Sequence, residues 1–173
     1  MTAYVALVTA VGAGIVDFRS RRIPNAWTAT AFAVGVAAQV YFGGLAGLRQ
    51  AALGFGLAML IYLPLFVLRA MGGGDVKLMA AMGATLGPQA WLIVFVFTAL
   101  LGGVLAVGLL LSRGGLGRAL GNVGRILGSL GRGEAPHAAH PELDVAHPKA
   151  TTLPHGVSIA FGTIAWFLTQ RGM

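Results

Sequence analysis

Two aspartates at the edges of apolar segments are the residues of this chain best suited to do chemistry. The chain has three aspartates, Asp17, Asp75 and Asp144, and the first two adjoin strongly apolar runs. A charged side chain within a membrane costs roughly 2.5–3.5 kcal/mol on insertion scales, so its presence indicates a function. Two close carboxylates cannot both ionise readily and hold one proton between them. The ionised member can then take a proton from water while the neutral member donates one to a scissile carbonyl, as in aspartic proteolysis.

Three glycines, Gly72, Gly73 and Gly74, precede Asp75. Because glycine has no side chain, this turn permits a positive φ and lets a substrate backbone approach closely. Lys77 follows two residues after the aspartate. We expect Lys77 to steer the turn or to contact lipid headgroups rather than to catalyse, because a cation beside the carboxylate pair would lower the pKa of that pair.

The composition indicates a polytopic membrane protein. Of 173 residues, 57% are hydrophobic and only 10% are charged, against roughly 25% charged in soluble domains. The formal charge is +7, but the basic residues cluster at the ends of apolar runs, which favours a role in membrane orientation over nucleic-acid binding. The absence of cysteine excludes disulfides, zinc–thiolate sites and thiol nucleophiles. The length suits a single membrane-embedded domain over residues 1–173.

Charge bias predicts an all-α bundle of six transmembrane helices with both termini outside. The apolar runs cover residues 1–16, 26–42, 50–68, 78–86, 89–111 and 153–168. The fourth run is shorter than the ~20 residues of a span and could be re-entrant. In that case the most basic loop would lie outside, against the preference of Lys and Arg for the cytoplasm. We therefore expect the fourth run to cross with the help of its glycine-rich start, which places Asp17 and Asp75 at cytoplasmic helix ends of similar depth.

Residues 113–152 are predicted to form a basic cytoplasmic loop between the fifth and sixth spans. Part of this loop carries an apolar, a small and a cationic stripe at helical spacing. The stripes are Leu116, Leu120, Val123, Leu127 and Leu130; Gly117, Gly121, Gly124, Gly128 and Gly131; and Arg118, Arg125 and Arg132. We predict an amphipathic helix on the cytoplasmic leaflet, with its arginines toward anionic lipid phosphates. A flexible loop is the alternative, because each glycine costs about 1 kcal/mol of helix propensity.

Both aspartate segments resemble motifs of a known family. The stretch GGGDVK at residues 72–77 resembles the Gly-x-Gly-Asp signature of membrane-embedded aspartic proteases, most closely that of the type IV prepilin peptidases. The stretch DFRSRRIPN at residues 17–25 resembles the other aspartate motif of that family, an Asp followed by a basic turn and Ile-Pro-Asn. Pro24 and Asn25 close this second motif.

A third element lies before the last apolar run. Pro154, His155 and Gly156 resemble a family element that is usually Pro-aromatic-Gly, with a histidine here in the aromatic position. The three elements occur in the family's order and span nearly the whole chain. The resemblance therefore implies that these three residues, with Pro24 and Asn25, help to shape the site.

The resemblance implies a multi-pass endopeptidase of the bacterial inner membrane. Asp17 and Asp75 would be its catalytic pair, working without a cofactor or metal. It would remove the short basic leader of prepilins at the cytoplasmic face, beside the hydrophobic pilin helix. The small size resembles the short branch that serves tight-adherence (Flp-type) pili. Long members also N-methylate the new pilin terminus and carry a cytoplasmic region with paired cysteines, which this chain lacks.

The residues are also compatible with two other functions. A small proton- or ion-coupled transporter would use Asp17 and Asp75 as relay groups, although transporters place such groups near the midplane between repeated halves. A non-catalytic membrane scaffold would tolerate loss of either carboxylate. In both cases Asp75 could simply cap the fourth helix, and Asp17 could pair with a neighbouring arginine.

The polar segment near the C-terminal end offers weaker signals. His137, His140, Asp144 and His147 are irregularly spaced for a zinc site, and prolines interrupt any helix that would align them. We expect a solvated loop and no metal.

Overall fold

The structure is a computed structural model that describes residues 1–140, 143 and 154–171, apart from the side chains of residues 118, 137 and 171. Within these residues the chain is helical and contains no strand. The helices are α1 (Thr2–Ser20), α2 (Asn25–Val67), α3 (Gly73–Leu86), α4 (Pro88–Ser112), α5 (Leu116–Gly131), α6 (Pro136–Ala139) and α7 (His155–Arg171). The all-α prediction is therefore confirmed for the described residues.

The first helix extends past the end of its apolar run. The hydrogen bond from the Arg21 N–H to the Asp17 carbonyl is 2.8 Å long and closes the last turn. The 19 residues of α1 span about 28 Å, close to the ~30 Å hydrocarbon thickness of a bilayer. Asp17 therefore lies inside the final turn of α1.

The long helix α2 folds back on itself. At Gly44 the backbone leaves helical geometry with φ 55° and ψ −135°, a conformation that suits glycine. The rings of Phe32 and Phe55 touch, with centroids 5.4 Å apart, whereas a straight helix would separate these residues by roughly 35 Å. Residues 25–43, the first limb, therefore pack against residues 45–67, the second limb.

A second reversal joins α3 to α4. Gly87 has φ 76° between the two helices, and the indole N–H of Trp91 reaches back to the Met79 carbonyl at 2.9 Å. In the part of the chain that the structure describes, three stretches are long and apolar enough to cross a membrane: Thr2–Ser20, Asn25–Val67 and Gly73–Ser112. The second and third each contain one of these reversals, and the protein is an integral membrane protein.

Helix α3 lies at the centre of the bundle. Leu78, Met79 and Met82 on this helix are inaccessible to solvent, and they pack with residues from α1, α2, α4 and α7 in one apolar cluster. Around α3, helix α7 packs between α1 and α4. Ala160 on α7 leaves no room for a side chain at Gly14 on α1. The short helix α3 is therefore held by its neighbours on most sides.

Helix α3 and the second limb of α2 meet in a close backbone contact. A Cβ at Gly54 would collide with the Gly83 backbone, and a Cβ at Gly83 would collide with the Gly54 backbone. Inside a membrane, helices associate largely through such tight packing of small residues. This contact positions the start of α3, which carries Asp75.

Gly54→Ala is expected to destabilise the protein by about 1–3 kcal/mol, because the added methyl group meets backbone that cannot move aside. Gly56→Ala is the matched control, since a Cβ there meets nothing within 4 Å. Thermal unfolding in detergent micelles measures both. Equal unfolding midpoints for the two variants would contradict the packing described.

Candidate active site

Asp17 is buried at the end of α1, with 6% of its surface exposed. Its Oδ2 accepts a 2.8 Å hydrogen bond from the backbone N–H of Gly156. Gly156 lies in the first turn of α7, where unpaired N–H groups and the helix dipole stabilise an anion. A Cβ at Gly156 would lie 2.9 Å from the Asp17 Cβ, so the contact depends on glycine. The structure thus joins two sequence-predicted elements that are far apart in the chain.

Asp75 is the third residue of α3 and does not cap it. The N-cap is Gly72, and no side chain caps the helix, so the capping interpretation of Asp75 was wrong. The Asp75 carboxyl group is half-buried and lies within electrostatic reach of the Asp17 carboxylate. The end of α1 and the start of α3 therefore bring two carboxyl groups near each other.

The three glycines before Asp75 do not use a positive φ. Gly72 has φ −73° and ψ 145°, and the helix begins at Gly73, so the positive φ that glycine permits is not used here. Their small size has another use here, since a Cβ on Gly74 would lie 3.4 Å from Ile23 and one on Gly73 would lie 3.2 Å from the Phe66 ring. The loop after α1 and the second limb of α2 can therefore approach the start of α3.

Asn25 and Lys77 tie the two motifs together. The Lys77 ammonium group donates a 2.9 Å hydrogen bond to Asn25 Oδ1, and both residues are exposed. Pro24 is the N-cap of α2, with φ −61° and ψ 139°, so Asn25 begins the helix instead of capping it. This hydrogen bond orders the loop that follows Asp17 relative to the helix that carries Asp75.

Tyr62 is a site residue that sequence reasoning missed. It is 2% exposed and lies within electrostatic reach of Asp75. Its ring makes an edge contact with Trp91 at 6.1 Å and a tilted contact with His155 at 6.4 Å. The one available signal was a phenol in an otherwise apolar run, which the periodicity of the sequence does not distinguish from ordinary packing.

His155 faces the interior of the bundle beside these groups. It lies within electrostatic reach of Asp17, and its Nε2 is buried without a hydrogen-bond partner among the described residues. Pro154, immediately before it, is half-buried, and its carbonyl accepts the Val157 N–H in the first turn of α7. The imidazole therefore offers a free nitrogen at the edge of the carboxyl pair.

Asp144 and His147, two of the weaker candidates for metal binding, lie outside the described residues, as does most of the predicted loop after residue 140. Where the structure describes the chain, no group of three or more His, Cys, Asp and Glu side chains converges.

The fold defines an integral membrane protein, and its candidate site has two carboxyl groups within electrostatic reach of each other at helix ends. The model of the type IV leader peptidase family matches residues 4–107, more than half of the chain, and the chain belongs to this family. The protein is thus a membrane-bound peptidase, which argues against the transporter and scaffold alternatives. Searches of curated proteins and of solved structures gave no match. The matched residues include both aspartates, while α7 lies beyond them.

The proximity of the two aspartates can be tested by cysteine crosslinking without background reaction from native thiols, because the chain contains no cysteine. The double variant Asp17→Cys/Asp75→Cys is expected to be joined by a short bifunctional thiol reagent, detected as a linked peptide by mass spectrometry. Phe18→Cys/Asp75→Cys is the control, since Phe18 is 73% exposed on the neighbouring position of α1. Equal yields for the two pairs would show that the carboxylates do not face each other.

Proposed function

We propose that the protein is a membrane-embedded aspartic endopeptidase that removes the short basic leader from type IV prepilins, of the Flp type, at the cytoplasmic face of the inner membrane. The observation that carries the proposal is that Asp17, at the end of α1, and Asp75, in the first turn of α3, lie within electrostatic reach of each other in a bundle where α1 and α3 pack together. Family membership supplies the reaction class. The pair supplies the chemistry, because two carboxyl groups with one proton provide both a base and an acid.

We assign Asp17 as the ionised member and Asp75 as the member that carries the proton. The Gly156 N–H donates to Asp17 at the start of α7, and such a donor stabilises negative charge. Asp17 takes a proton from a water molecule, whose oxygen attacks the scissile carbonyl carbon. Asp75 donates its proton to the carbonyl oxygen, which forms a neutral tetrahedral intermediate. The intermediate collapses when the proton on Asp17 passes to the leaving nitrogen and Asp75 recovers its own from a hydroxyl of the intermediate.

Tyr62 and His155 are proposed to hold the pair rather than to react. Tyr62 is fixed by aromatic contacts to Trp91 and Phe95, so its position near Asp75 is rigid. His155 contacts Tyr62 and lies near Asp17. Together they form a wall that limits the volume in which the attacking water can sit.

The proposed topology has six crossings with both termini outside. It is supported by the two reversals, at Gly44 and Gly87, which divide the two long apolar stretches. Helix α3 has 14 residues and a length of about 21 Å, shorter than the ~30 Å hydrocarbon layer. Asp75, at the start of α3, would then lie in a depression of the cytoplasmic membrane surface that water can reach. The exposed arginines Arg19 and Arg22 beside Asp17 fit the cytoplasmic side.

Asp17→Asn and Asp75→Asn are each expected to abolish cleavage, with a loss of at least 10³-fold, because an amide cannot act as the base or acid of the pair. The measurement is conversion of a prepilin to mature pilin in co-expressing cells, followed by electrophoretic mobility. Asn122→Asp on α5 is the control for the chemistry of the substitution, since it exchanges the same two groups away from the pair. Cleavage by either aspartate variant at the wild-type rate would refute the mechanism.

We further propose that α5 lies on the cytoplasmic leaflet, with its apolar stripe among the acyl chains. The support is the exposure of the apolar side chains of α5 and the position of α5 directly after α4. Leu120, Val123 and Leu127 are more than half exposed, and α5 begins within four residues of the end of α4, so it starts at the membrane surface. At 3.6 residues per turn, positions 118 and 125 lie about half a turn from the leucines. Binding of α5 to the membrane would therefore depend more on burial of its apolar side chains than on contacts between arginines and lipid phosphates.

Spin labels attached at single cysteines test the position of α5 in vesicles that contain phosphatidylglycerol. A label at Val123→Cys is expected to be accessible to dissolved oxygen, which concentrates in the acyl region. A label at Arg125→Cys on the opposite face is expected to be accessible to a water-soluble nickel complex. Water accessibility at both positions would contradict the surface orientation.

A further inference from the structure

The imidazole of His155 lies where α7 meets α1 and the second limb of α2. His155 is the first residue of α7, and its neighbour Gly156 donates its N–H to the Asp17 carboxylate at 2.8 Å. The imidazole ring also meets the ring of Tyr62, with centroids 6.4 Å apart. The backbone bond and the ring contact together fix the imidazole beside Asp17, within whose electrostatic reach it lies.

The Nε2 atom of this imidazole is buried and has no hydrogen-bond partner among the described residues. In the same part of the chain, three other buried polar atoms share this condition: Thr98 Oγ1, Ser129 Oγ and Trp166 Nε1. They lie away from the carboxyl groups. Ser129 is on α5, and Thr98 packs against Gly162, seven residues or about 10 Å along α7 from His155. Trp166 lies another four residues along α7. An unpaired polar atom beside an acid pair is therefore particular to His155, and such an atom is often explained by a catalytic role.

Neighbouring donors are already engaged in bonds within the protein. The indole N–H of Trp91 donates to the Met79 carbonyl at 2.9 Å, and the Lys77 ammonium group donates to Asn25 at 2.9 Å. The Nε2 atom of His155 instead keeps its bonding capacity for a molecule that enters the site.

The attacking water of the proposed reaction needs a second partner. Asp17 accepts one of its two hydrogens, and a water held at a single point can still turn about that bond. Asp75 carries a proton and directs it to the carbonyl oxygen, so it does not accept the other hydrogen. A second acceptor would fix the direction of the water lone pair and increase the electron density on its oxygen, and both effects favour attack on a carbonyl carbon.

We propose that Nε2 of His155 accepts the second hydrogen of the attacking water. The inference rests on the proposed function and adds a positioning residue to it. The Nδ1 atom carries the ring proton, because an imidazole nitrogen accepts only when it is not protonated. His155 is itself half-buried, and a rotation of its ring presents Nε2 to the water when the substrate enters. The shared hydrogen stays on the water oxygen and becomes the hydroxyl hydrogen of the tetrahedral intermediate, so the imidazole takes up no proton.

Three substitutions of His155 test this role through kcat and KM of the purified enzyme on a prepilin. His155→Gln places an amide oxygen near the position of Nε2, His155→Asn places one near Nδ1, and His155→Phe keeps a ring without an acceptor. The glutamine variant is expected to retain most of the wild-type kcat. The other two are expected to lower kcat by about 10–100-fold with KM unchanged, because the geometry of the water matters only after the substrate is bound. Equal kcat for the glutamine and phenylalanine variants would overturn the proposal.

Chemical rescue of His155→Ala separates hydrogen bonding from packing. Added imidazole is expected to restore cleavage, because it fills the space left by the side chain and brings an acceptor nitrogen. Pyrrole is the matched control, since its ring has the same size but its nitrogen only donates. Equal rescue by the two compounds, or no rescue by imidazole in a variant that unfolds at the wild-type midpoint, would contradict the role of Nε2.

The outcomes separate this inference from the proposed function. If Asp17→Asn or Asp75→Asn still cleaves prepilin, the proposed function fails whatever the variants of His155 do. If both aspartate variants are inactive but the glutamine and phenylalanine variants of His155 cleave alike, only the role of His155 fails.

Discussion

The hydrogen bond between the Asp17 carboxylate and the Gly156 N–H is the interaction on which the rest of the site depends. It joins the end of the first helix to the start of the last, and it places a buried acid where the unpaired amides of a helix end can stabilise it. Without that partner, a carboxylate with 6% exposure would have little to compensate for the loss of water. The second acid, Asp75, then lies near a carboxylate that the Gly156 N–H already stabilises.

Glycine supplies this architecture in two distinct ways. Gly44 and Gly87 adopt positive φ values that reverse the chain, as few other residues can. Gly54, Gly83 and Gly156 instead allow backbones and side chains to meet at distances that a Cβ would prevent. In a membrane, where burial of apolar surface does not drive helices together, such close contacts provide much of the association energy.

The central position of α3 connects packing to chemistry. Most of its residues after Asp75 are buried by neighbouring helices, which limits the movement of the whole helix. The position of this acid is therefore set by a packed element, which is how a site gains from pre-arranged geometry.

The sequence by itself determined the class of protein, the all-helical character and the two acids, because composition, hydrophobic runs and short motifs depend only on local residue order. It also identified Gly156 as a site residue, but not its partner, since a contact between residues 139 positions apart leaves no local pattern. Tertiary structure alone decided that Tyr62 lies beside Asp75 and that Lys77 bonds to Asn25. It also decided that the glycines before Asp75 serve close packing rather than a left-handed turn. These features arise where separate helices meet, and helix meeting points are set by side-chain shape across the whole bundle.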